Sequence, residues 1–303
     1  MMWRSRTVVS AASVAMAFAL QTAALAQEAT GAPPETRVDD VVVPGQALGV
    51  VADRFVEAIS APARTRGLAR WDGAVCIGVV NFQADAAHLI IDRMSEVARE
   101  LGIELGEPGC DPNLVIAGTT DGAGMAREMV DRHRRAFFRY GYARSNAGSA
   151  ALETFQSSDA AVRWWHVSLP INVETGLPAV KLPGLGYASI PSNCRIIRHG
   201  ANYQFCDGIT DRLMRLVVIV DVEALPVLTY PQLADYLTMI GLAQIDPGGD
   251  WSGFDTVLNV IGDPAAVSGL TPWDLAYLDA LYSGENERID ADEQAGRLVE
   301  RLR

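Results

Sequence analysis

Hydrophobic residues recur along this chain in two rhythms, a helical one and a strand one. Val51, Phe55, Val56 and Ile59 fall at helical spacing and predict a first helix over residues 49–60. A basic, proline-broken link (62–70) leads to the short β-branched run 74–80, which predicts a strand. Ile90, Met94, Val97 and Leu101 then share one face of a helix over 84–101, stopped by Gly102. A second strand is expected at 114–117, so the strand–helix–strand order predicts a parallel crossover pair. A helix over 123–138 follows.

The middle of the chain is less regular. Residues 141–158, rich in Ser, Ala and Gly, read as an exposed loop. Residues 162–169, with Trp164, Trp165 and His166, read as a strand. A Gly/Pro-rich segment, 174–186, precedes a predicted hairpin of strands 194–197 and 203–206, and 216–220 is a strongly apolar strand. The last third is helical: Pro231 opens a helix reaching residue 240 that Gly241 is expected to end, and further helices are predicted over 254–260, 272–282 and 291–303. These elements predict an α+β fold, a mixed sheet with flanking helices and a helical C-terminal lobe.

Both the first residues and the composition bear on location. Arg4 and Arg6 precede an apolar run over residues 7–20, and Ala24-Leu25-Ala26 has the small-x-small pattern cut by signal peptidase. Residues 1–26 are therefore expected to be a signal peptide and Gln27 the new N-terminus, in a periplasmic or secreted protein. The run is short of the roughly 20 residues that span a bilayer, and no membrane span is expected after cleavage. Residues 27–48 read as a flexible leader, and residues 49–303 as a single domain. The formal charge of −12 argues against a nucleic-acid partner. Four cysteines in an exported chain predict two disulfides, most simply Cys76 with Cys110 and Cys194 with Cys206.

Candidate chemistry is sparse. None of His88, His133, His166 and His199 pairs with another at metal-ligand spacing, and no Gly-x-Ser-x-Gly elbow or phosphate loop occurs. His88 and His133 read as solvated, and His166 as packed or hydrogen-bonded. The glycine-rich stretch 118–124 reads as a strand-to-helix turn, and Asp290, Asp292 and Glu293 as solvated surface. The aromatics Trp164, Trp165, Tyr203, Phe205 and Trp251 read mainly as core.

One constellation carries a resemblance. The strand at 216–220 leads to the helix Leu233-Ala234-Asp235-Tyr236-Leu237-Thr238-Met239-Ile240, closed by Gly241-Leu242; downstream lie Leu270-Thr271-Pro272-Trp273-Asp274 and Leu281-Tyr282. This order, over residues 214–283, resembles the core of the zincin metallopeptidases, in particular a metzincin-like set of exported bacterial proteins. In that family a strand leads to a His-Glu-x-x-His helix, whose two imidazoles one turn apart hold zinc beside a glutamate base, and a glycine turn brings a third ligand. Here Ala234 and Thr238 stand at the histidine positions, Asp235 at the glutamate position and Gln244 at the third-ligand position. Alanine has no donor atom, and threonine and glutamine are poor zinc ligands. The resemblance therefore implies no metal or other cofactor, and a pseudoenzyme that binds a peptide or protein partner. Two alternatives stand beside it: a hydrolase with an unrecognised site around Asp235, Thr238 and Asp246, and a structural periplasmic protein.

Overall fold

The computed structural model describes residues 45–63, 66–137, 148–173, 175–182, 186–189, 197–199, 202–204, 208–284 and 289–303. The first helix, α1, covers Gly45–Ile59 and so starts inside the stretch expected to be leader. Its heptad-like stripe of Ala52, Phe55, Val56 and Ile59 is fully buried. Then come β1 (Ile77–Val80), α2 (Ala84–Glu100), β2 (Leu114–Thr119) and α3 (Gly122–Phe137). The crossover is parallel, with Ile77 beside Leu114 and Val80 beside Ala117. Gly102, at φ +73, provides the left-handed turn that ends α2.

The expected loop at 141–158 is corrected in its described part: Ser149–Ser157 is a helix, α4, that buries Leu152 and Phe155. Two apolar residues three apart suffice because their partners, Phe137 and Trp165, lie on other elements. The strand β3 (Val162–Asn172) is antiparallel to β8 (Ile209–Asp221), and β8 is parallel to β2. The sheet order is β1-β2-β8-β3, so β3 is an edge strand. Between β3 and β8 lie two small antiparallel pairs, β4 (Ala179–Leu182) with β5 (Gly186–Ser189) and β6 (Ile197–His199) with β7 (Asn202–Gln204).

Both faces of the sheet are covered, which explains the unbroken apolar run in β8. Leu216, Val218 and Val220 join Trp164 in the larger core beneath α1, α2 and the C-terminal helices. Val217 and Ile219 join Trp165 in a smaller core beneath α3 and α4. The C-terminal third contains α5 (Tyr230–Leu242), a 3₁₀ turn (Val257–Ile261), α6 (Pro272–Tyr282) and α7 (Ala291–Arg301), and it shares the larger core with α1 and α2.

Two details correct the expected helix ends. Gly241 lies inside α5, which ends at Ala243 in extended conformation. The glycine is there for close packing: a Cβ at this position would lie 2.7 Å from Met94 Cε and 3.3 Å from Leu114 Cδ1. The segment expected to be a helix over 254–260 is a single 3₁₀ turn capped by Thr256. Asp274 fixes it, receiving the Thr256 hydroxyl at 2.5 Å and the Val257 amide at 2.7 Å while completing a capping box with Thr271. The Thr-x-x-Asp signature thus has a structural cause of its own.

Cys76 and Cys110 are joined by a disulfide, with Cα atoms 6.0 Å apart. Cys194 and Cys206 lie outside the described residues, as do residues 1–44, 183–185, 190–196, 200–201 and 205–207. No helix among the described residues is long and apolar enough to cross a membrane.

Candidate binding cleft

The strand β8 delivers the chain to α5, and the four positions of the metallopeptidase resemblance occupy three different surroundings. Ala234 and Thr238 sit one turn apart and are fully buried; the Thr238 hydroxyl donates to the Ala234 carbonyl at 2.7 Å. Asp235 faces α2 instead. Its Oδ1 receives Arg93 Nε at 2.5 Å and its Oδ2 receives the Leu270 amide at 3.0 Å, so both oxygens are engaged in holding α2 and the segment before α6 to α5. Gln244 lies past the end of the helix, where its Oε1 accepts from the Ala69 amide at 3.3 Å. Asp246, also past α5, lines a cavity on the β3 side, whereas Asp235 lines an open groove between α2 and α5. Asp235, Thr238 and Asp246 are therefore not brought together. Among the described residues no three His, Cys, Asp or Glu side chains are grouped to hold a metal ion.

The other sequence candidates also find their places. His88 and His133 are exposed on α2 and α3. His166 is buried in β3, its Nε2 3.1 Å from the Ile240 carbonyl. Burial pushes its pKa down to about 4, against the opposing pull of the Ile240 and Ala243 carbonyls. The turn at 118–124 has carboxylates on its amides: Asp221 accepts from Gly122 at 2.9 Å and Asp121 from Gly124 at 2.7 Å. Asp290 caps α7 by accepting from the Glu293 amide.

A cavity of about 290 Å³ lies along the edge of the sheet. Residues 160 and 162–166 form one side. Ala151, Thr154 and Phe155 come from α4, and residues 244–248 and Ala61 from the opposite face of the sheet. The ladder determines what β3 presents there. The Asp221 amide donates to the Ala161 carbonyl at 2.8 Å, and the register pairs Arg163 with Ile219 and Trp165 with Val217. In an antiparallel pair the bonding direction alternates, so the backbone groups of Val162, Trp164 and His166 point away from β8. That rim faces the cavity. Further along, the rim is engaged differently: Arg66 Nη1 donates to the Ser168 carbonyl at 3.1 Å, and the Asn172 amide donates to the Leu177 carbonyl at 3.0 Å.

The side chains around this rim are fixed. Trp164 Nε1 donates to the Ile245 carbonyl at 2.9 Å, and Trp165 Nε1 to the Phe137 carbonyl at 3.2 Å. Arg163 is the residue sequence reasoning missed. Its signal was a lone charge inside the apolar run Val162-Arg163-Trp164-Trp165, at a position that proves 4% exposed.

Compared with family models, with curated proteins and with solved structures, the chain gives no match.

Proposed function

We propose that this is an exported, non-catalytic, metallopeptidase-like protein of the cell envelope that binds an extended peptide segment of a partner along the outer rim of β3. The observation that carries the reading is the cavity beside Val162, Trp164 and His166, where an edge strand turns its backbone donors and acceptors toward open space. An edge strand is a template for an added strand, with main-chain hydrogen bonds giving affinity and flanking side chains giving selectivity. At about 290 Å³ the space is at the small end of ligand cavities, which suits a few residues of extended chain.

The non-catalytic part rests on the metallopeptidase resemblance. Where that design needs two imidazoles, α5 carries Ala234 and a Thr238 hydroxyl bonded back to its own helix. Where it needs a base, Asp235 is committed to Arg93 and Leu270. Export is supported by the Cys76–Cys110 disulfide, a bond that persists in oxidising compartments.

The test is a titration of acetylated, β-branched extended peptides into purified protein, followed by tryptophan fluorescence, since Trp164 and Trp165 both line the cavity. Saturable binding unaffected by a chelator, with the peptide recovered intact by mass spectrometry, is the expected result. An absence of saturable binding, or cleavage of the peptide, contradicts the reading.

A further inference from the structure

Alternation along β3 sends Trp164 toward α5 and Arg163 toward α3 and α4. The guanidinium is held between the start of α3 and the end of α4, so closely that a Cβ on Gly122 would lie 3.0–3.2 Å from three of its atoms. Nη1 donates to the Phe155 carbonyl at 3.4 Å and Nη2 to the Ala160 carbonyl at 3.1 Å. The Nε–H is buried and has no hydrogen-bond partner. Both acceptors are neutral, and among the described residues no carboxylate lies within ion-pairing distance of this side chain. Of the nearby acids, Asp221 holds the Gly122 amide and Asp121 the Gly124 amide, while Asp159 is exposed to solvent. Burial acts against the charged form, opposed at longer range by Asp221 and Asp159. Yet a guanidinium does not give up its proton in a protein. Arg163 is among the residues that line the cavity, and a buried cation with an unused donor is an arrangement that an anion completes.

We propose that Arg163 anchors a carboxylate carried by the segment that docks on β3. This rests on the peptide reading above and adds the chemistry of the partner: either a free C-terminal carboxylate or an Asp or Glu side chain, the group common to both being the carboxylate. A planar guanidinium matches that group better than an ammonium does, with parallel N–H donors in a fixed fork.

The experiment compares three probes on wild-type protein by tryptophan fluorescence: acetyl-Thr-Val-Thr-Val with a free carboxylate, the same peptide as its amide, and acetyl-Thr-Val-Glu-Val as its amide. One or both carboxylate peptides bind at least tenfold more tightly than the plain amide. Preference for the free acid assigns the C-terminus as the source, and preference for the internal glutamate assigns a side chain. Arg163→Met abolishes the preference, and Arg163→Lys, which keeps the charge but not the fork, retains only part of it. Equal, saturable binding of all three probes overturns the carboxylate anchor while leaving the peptide reading intact. A preference that survives in Arg163→Met overturns it as well. If no probe binds, the peptide reading fails and the anchor with it. The wild-type comparison does not depend on whether either variant folds.

Discussion

His166 gives the fold a pH dependence whose size can be worked out. The residue is 8% exposed, packed inside β3 with Nε2 against the Ile240 carbonyl, and burial lowers its pKa from 6.5 to about 4. Above pH 6.5 both folded and unfolded chains carry a neutral ring and the group contributes no slope. Between pH 6.5 and about 4 the unfolded chain takes up a proton that the folded chain refuses, so stability is lost as the pH falls through this window. One pKa unit corresponds to about 1.4 kcal/mol, so the full loss comes to about 3 kcal/mol, complete near pH 4. Urea denaturation at a series of pH values from 7 to 4, on wild type and on His166→Gln, measures it. Glutamine can still donate to Ile240 but does not titrate. Carboxylates add their own slope to both proteins, so the difference between the two curves isolates the imidazole. The variant should lose about 3 kcal/mol less than wild type across the window. Parallel curves, or an His166 ring resonance that titrates near 6.5, would refute the reasoning.

Three further outcomes are expected. Replacing Cys76 and Cys110 together by serine opens a loop of 34 residues and should cost about 3–4 kcal/mol on the loop-closure estimate, read as a lower urea midpoint matched by reducing the wild type. Asp211→Asn should cost about 3–5 kcal/mol, because Arg66 Nε and Asp211 Oδ1 pair at 3.1 Å with side chains only 2% and 1% exposed; an unchanged denaturation midpoint would argue against it. Gly241→Val should destabilise by about 2 kcal/mol through overpacking against Met94 and Leu114, and Met94→Ala in the same chain should recover part of that loss in thermal unfolding.

How far the fold was legible depended on where each signal lay. The five apolar residues 216–220 announced a strand, whose cover on both faces the structure supplies, and the β1–α2–β2 crossover followed from local periodicity. The start of β8 was hidden because Asp211 and Arg212 look like surface residues. Within the fold they pair with Arg66 and Asp72, partners more than a hundred residues away. Gly241 was misread because a glycine near a helix end usually serves the backbone; here it serves Met94 and Leu114 across the α2–α5 interface. The helix α4 lacked a visible stripe, its two buried residues being completed by Phe137 and Trp165.

The cleft was the least legible part. Its walls come from Ala61, from α4 and β3, and from residues 244–248, and no local spacing joins those segments. The resemblance did direct attention to Gln244 and, among the alternatives, to Asp246, both of which line the cavity. Ala234 and Thr238, read from the same motif, are core residues of α5. Arg163 shows the one signal that could have been used from the start: a charge where the pattern demands an apolar residue has either a partner in the chain or a task outside it.

The most direct measurement is residue-resolved amide hydrogen exchange along β3, with and without saturating extended peptide. Docking as an added strand predicts slower exchange at Val162, Trp164 and His166, whose amides face the cavity, and little change at Arg163 and Trp165, whose amides already bond to β8. Protection spread evenly over residues 162–166, or confined to the groove between α2 and α5, would contradict the account.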